Sequence, residues 1–179
     1  VTFLITNMVF GLSVGATVLI GQYLGAGDRK ALKETIGTLL STLIVLAVVI
    51  TIVMIALQEP LLRLIQTPPE SFSEAKEYFF ITMLGTIFIF GYNALSAIMR
   101  GMGDSKNPLV FVAIACGINI VLDVWLVKGL QMRAAGAALA TVISQAVSMI
   151  LCIMYLVKNK FIFDFKLRSF AFHKKRLQL

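Results

Sequence analysis

The chain has 179 residues, 59% of them hydrophobic and only 14% charged, with a mean hydropathy of +0.91 and a formal net charge of +7. That balance excludes a soluble globular domain and leaves no polar stretch long enough for a second, water-facing one, so the core is expected to be helix packed on helix in lipid. A pI near 9.7 would suit a nucleic-acid partner, but the basic residues sit at the ends of apolar runs, as an orientation signal does, and no nucleic acid is expected.

Apolar runs predict an all-α integral membrane fold with about five spanning helices, near residues 1–24, 35–58, 78–99, 108–127 and 134–157. No signal-peptide pattern is present, and the chain opens at Val1 inside an uncharged run that lasts to Gly27, so a natural start upstream is expected. The first span carries the small-xxx-small pairs Gly11/Gly15 and Gly21/Gly25, which predict close helix approach. Gly25 and Gly27 can turn the chain and Asp28 can cap the next helix. The second span holds no charge from Thr35 to Gln58 and reads as a lipid-facing wall.

The connector EPLLRLIQTPPESFSEAKEY reads as solvated, with Pro68-Pro69 ending any helix before it and Ser71/Glu74 forming a capping box for the third span. In that span Asn93 and Ser96 are three residues apart, share a face and are candidates to line a polar cavity. The turn RGMGDSKNP follows, where Asn107 is expected to cap the fourth helix and Pro108 to open it.

The fourth span puts one carboxylic acid, Asp123, inside an apolar helix, a placement that costs about 2.5–3.5 kcal/mol on insertion scales and usually marks a function. Asn119 lies one turn earlier on the same face. A short link from Lys128 to Arg133 makes a hairpin with the fifth span; counting from its middle puts Asp123 about 12 Å and Thr141 about 15 Å into the bilayer. An acid, an amide and a hydroxyl at one depth can exchange a proton for Na⁺ or for another cation. The blander reading is that Asp123 pairs with Lys128 at the interface; against it, aspartate is short and snorkels poorly.

Cys116 and Cys152 lie in different apolar runs, and with His173 as the single histidine they predict no zinc site, thiol catalyst or disulfide. No cofactor is expected beyond a coupling ion, and no nucleophile–base pair suggests an enzyme. Residues 158–179 interleave phenylalanines with lysines and arginines, which reads as a cytoplasmic interfacial tail. Sorting the 16 basic residues by alternate loops gives 12 against 4, which predicts an outside N-terminus and a cytoplasmic tail in a cell inner (plasma) membrane.

Taken together and in order, GQYLGAGDRKAL, RGMGDSKNPL, INIVLD and GAALATVISQ resemble the multidrug and toxic compound extrusion (MATE) transporters. The resemblance covers nearly the whole chain up to Lys158, as the second to sixth helices of an N-terminal six-helix lobe lacking its first helix. It implies efflux of small cationic lipophilic substrates driven by inward Na⁺ or H⁺, with the missing first helix and a second lobe as partners alongside the lipid bilayer. It matches Asn119, Asp123 and Thr141 to the lobe's cation or proton site and Asn93 to an amide of the same cavity, while Ser96 stands where some members carry a second amide. The rival functions are a truncated scaffold that moves no solute and a lipid-linked oligosaccharide flippase of the same superfamily. A flippase should place basic residues inside its spans, and none is expected here.

Overall fold

The computed structural model describes residues 2–159, with side chains from residue 6 onward; the basic, phenylalanine-rich segment from residue 160, with His173, lies outside the described residues. In chain order the elements are α1 (Thr2–Gly25), α2 (Arg29–Ala56), α3 (Gln58–Leu64), α4 (Pro69–Gly101), α5 (Lys106–Asp123), a π-helical extension of α5 (Val124–Gly129) and α6 (Arg133–Lys158). All but α3 are long and apolar enough to cross a bilayer, so the five-span, all-α integral membrane fold read from the apolar runs is the fold observed.

Helix starts differ from the apolar runs because capping, not hydropathy, sets them. α2 begins at Arg29 instead of residue 35: Gly27 turns the chain at φ 71°, and the Asp28 carboxylate accepts the Ala31 amide at 2.9 Å. Gly25, by contrast, stays helical. α4 begins at Pro69 instead of residue 78, since a proline at the first position has its φ preset and no N–H to lose. Ser71 therefore already lies inside the first turn and the expected capping box does not form; Glu74 instead accepts from Arg133 at 2.6 Å.

The connector expected to be solvated folds in part as α3. Its Gln58 is buried and donates to the Lys76 carbonyl, and Lys76 Nζ reaches Glu59 at 2.5 Å. The hydrogen bond and charge of that lysine hold the Glu59 carboxyl below the usual carboxylate range.

α4 is the central helix, packed against α6, α2, α1 and α3, while α6 lies between α4 and α5. The α4–α6 interface is built on a seam of α6 buried at every fourth residue: Gly136, Ala140, Ser144, Ser148, Cys152 and Leu156. Small side chains at that spacing let two backbones approach, which in lipid is the main source of helix association. α4 answers with Gly85 against Val142 and Gly91 against Met149.

Two expectations for the first half of the chain are corrected. A Cβ at Gly11, Gly15 or Gly25 would meet nothing within 4 Å, and at Gly21 only Gly101 O at 3.5 Å, so the small-residue pairs of α1 are not its contact face. The close approach to α4 occurs at Gly101, where a Cβ would lie 2.6 Å from Ile20 Cγ2 and 2.9 Å from Thr17 O. Nor is α2 a uniform lipid-facing wall: Thr35–Leu40 are buried without interruption, and its large exposed side chains begin at Ile44.

Candidate functional site

α5 runs antiparallel to α6. Asn107 bonds Tyr155 at one end of the pair and Leu126 abuts Gly136 at the other, an equal number of residues along each helix. The same register puts Thr141 level with Val121, between Asn119 and Asp123. Neither Asn119 nor Asp123 is exposed, and Asn119 Nδ2 and Asp123 Oδ1 are each buried without a hydrogen-bond partner. Inside a membrane span, the unmatched Asp123 Oδ1 leaves an unmet demand for a cation or a proton, and the Asn119 amide N–H beside it one for an acceptor.

Thr141 is half-buried, and its hydroxyl donates to the Ala137 carbonyl at 3.0 Å. With its hydrogen committed, Oγ1 has only lone pairs to offer. Among the described residues Asp123 joins no ion pair, and Lys128, its suspected interfacial partner, is exposed. The α-helix gives way to the π-helix directly after Asp123, so the acid sits where the backbone turn widens.

Asn93 and Ser96 do not join this group. α4 and α6 run parallel with Gly85 beside Val142 and Gly91 beside Met149, which puts Asn93 roughly 14 Å beyond Thr141 along the bundle. Asn93 is half-buried and donates to the Ile89 carbonyl at 2.8 Å, and Ser96 has no exposure. What occupies Ser96 is a residue that sequence reasoning assigned to a cytoplasmic turn. Arg100 turns back along α4 and donates from Nη1 to Ser96 Oγ at 2.6 Å, while its Nη2 is buried with no partner. The spans therefore do contain a basic group directed inward. The signal in the sequence is the four-residue spacing of a hydroxyl and an arginine on one helix face.

Of the two partners, the serine is the harmful one to remove, because its loss strands a buried charge. Ser96→Ala leaves two guanidinium nitrogens unmatched and is expected to lower stability by about 1–3 kcal/mol. Arg100→Met, which removes the charge at similar volume, is expected to be neutral or stabilising. Thermal unfolding of the detergent-solubilised chain orders the two variants, and the reverse order would refute this account of Arg100.

The α4–α5 turn carries a second polar cluster. The capping role expected of Asn107 belongs to Asp104, whose Oδ1 accepts the Asn107 amide at 3.1 Å. Asn107 Nδ2 donates to Asp104 Oδ2 and to Tyr155 Oη, both at 2.8 Å. Burial alone would raise the Asp104 carboxyl, but hydrogen bonds from Asn107, Tyr155 and the Lys106 amide outweigh it and hold the group below its ordinary range. A lowered folded value means that its contribution is complete at neutral pH and fades as pH falls through that value.

Residues 1–125 match the MatE family model. Over 158 residues the chain is 32% identical to the Bacillus subtilis (strain 168) protein described as "Probable multidrug resistance protein YpnP", covering 88% of this chain and 36% of that relative. Over 152 residues it is 30% identical to "Probable multidrug resistance protein NorM" of Thermotoga maritima, with coverages of 82% and 32%. A solved structure described as the inward-facing conformation of a multidrug resistance MATE family transporter of the MOP superfamily matches with a TM-score of 0.90 at 30% identity, over 97% of this chain and 40% of that one. One described as the outward-facing conformation of such a transporter matches with a TM-score of 0.86 at 29% identity, over 97% and 39%. The chain thus spans about a third of the length of these relatives.

Proposed function

This chain belongs to the MatE family, and on that premise we propose that it forms the larger part of one lobe of a secondary active antiporter, exporting small lipophilic cations in exchange for inward Na⁺ or H⁺. The observation that carries the reading is the buried, unpartnered Asp123 Oδ1, one turn from Asn119 and level with a threonine oxygen whose hydrogen is spent. The Asp123 carboxylate supplies the charge. The Asn119 carbonyl and Thr141 Oγ1 supply neutral oxygens, a donor set suited to a small hard cation or to a shared proton.

In the antiport cycle, an ion held at Asp123 favours one packing of the lobe, and its departure favours the other. That the chain superposes on both inward-facing and outward-facing transporters supports a lobe that moves as a unit. The bias of basic residues supports a plasma-membrane orientation with the start of α1 outside and the end of α6 at the cytoplasm.

The reading is tested by expressing the whole open reading frame that contains this chain in a bacterium stripped of efflux pumps and following accumulation of a fluorescent lipophilic cation. Accumulation should fall relative to empty vector, and the fall should vanish when either the Na⁺ or the proton gradient is removed. Equal accumulation in both strains would leave a scaffold that moves no solute.

A further inference from the structure

α5 carries two of the three proposed coupling residues, yet it is the least buried of the five spans and leans almost entirely on α6. Beyond Phe111 the middle of its packed face is apolar and lacks directional contacts: Ala115 is buried, with Val112 and Leu122 partly so. Surfaces of that kind, in a solvent as apolar as themselves, resist sliding only weakly. Toward the hairpin, α5 ends in the π-helix Val124–Gly129, a wider turn whose Leu126 packs on Gly136 through van der Waals contact.

At the other end the contacts are directional. Asn107 Nδ2 is shared between Asp104 and Tyr155 Oη, and the Tyr155 hydroxyl also reaches the Asp104 carboxylate. The Phe111 ring meets the Tyr155 ring edge-on at 5.7 Å, and Tyr92 Oη donates to the Pro108 carbonyl at 3.0 Å, which ties in α4. Hydrogen bonds of this length tolerate displacements of a few tenths of an ångström. A slip of one residue would carry Asp123 about 1.5 Å along α6 and turn it by about 100°.

We propose that the Asp104–Asn107–Tyr155 cluster is the positioning element of the coupling site: it fixes the register of α5 on α6 and so holds Asn119 and Asp123 level with Thr141, about 24 Å away. The proposal rests on the coupling role given to Asp123, and its residues are positioning residues that touch no transported species. A register set at the hydrogen-bonded end of α5 passes through an unbroken α-helix to the acid.

The experiment follows the transition temperature of the full chain in detergent while NaCl replaces choline chloride at constant ionic strength, and separately as pH is varied. Asp123→Asn should erase the ion-dependent shift. Tyr155→Phe keeps the ring contact with Phe111 and removes the hydroxyl. It should raise the ion concentration at half-effect about tenfold, as loss of a supporting hydrogen bond does at ion sites, while the ion-free transition moves by no more than a few degrees. A tie with only a structural role would lower the ion-free transition and leave the half-effect concentration where it was. If Tyr155→Phe does not fold, Asn107→Ala gives the same readout. Unchanged half-effect concentrations, with Asp123→Asn still erasing the shift, overturn the positioning role alone; an ion response that survives Asp123→Asn overturns the coupling reading and this proposal with it.

Discussion

Asp123→Asn is expected to abolish gradient-driven export by the whole transporter while leaving the helices inserted and packed. The amide matches the carboxylate in size and adds no strain, and in a low-dielectric span it removes a desolvated charge, so the variant should be at least as stable as the wild type. What it loses is the attraction that separates an occupied from an empty site. A missing charged ligand is worth about 3 kcal/mol, so apparent ion affinity should fall on the order of 100-fold. A ligand can shift two conformations only by its differential affinity for them, and a 100-fold loss removes most of that leverage. Resistance to a lipophilic cation, measured beside expression level in the membrane, should drop to that of cells without the transporter. Full resistance in a strain expressing Asp123→Asn would mean that the acid has no part in coupling.

Gly85→Ala is expected to destabilise the chain clearly more than Gly91→Ala on the same helix. A Cβ there would overlap Val142 Cγ2 and press on Val142 Cβ and Cγ1 as well, all parts of a branched side chain with little rotamer freedom. Overpacking of that kind costs about 1–3 kcal/mol. The added methyl drives α4 and α6 apart where the α6 seam brings them together. Val142→Ala in the same chain should restore most of the loss, since it vacates the volume that the new methyl fills. Gly91→Ala provides the contrast. Its new Cβ would meet only the Met149 thioether, and a long unbranched side chain can move aside, so less than about 1 kcal/mol should be lost. The order Gly85→Ala below Gly91→Ala in thermal unfolding, with rescue by Val142→Ala, checks the interface; a Gly85→Ala variant as stable as the wild type would refute it.

Much of this architecture is legible in the sequence because bilayer thickness imposes a length that apolar runs must meet. Asp123 stands out as the only acid within those runs, Asn119 follows by helical spacing, and Thr141 is found by counting down two helices from one short link. What is not legible depends on which side chain reaches which backbone. Asp28 and Pro69 start helices inside polar sequence where hydropathy sees only loop. Asp104 caps in place of Asn107, because the asparagine is drawn to Tyr155 on a helix far away in the chain. Arg100 next to Gly101 looks like a turn residue until a buried serine one turn back gives its guanidinium a reason to point inward. The π-helix, for its part, has no marker in VWLVKG.

Cys116 is exposed on the outer side of α5, between the Tyr155 tie and Asp123, whereas Cys152 is sealed within the α6 seam. Of this chain's two thiols, only Cys116 can therefore be labelled without opening the α6 seam. A nitroxide or fluorophore attached there would report on α5 from within this chain while leaving the α4–α6 interface intact.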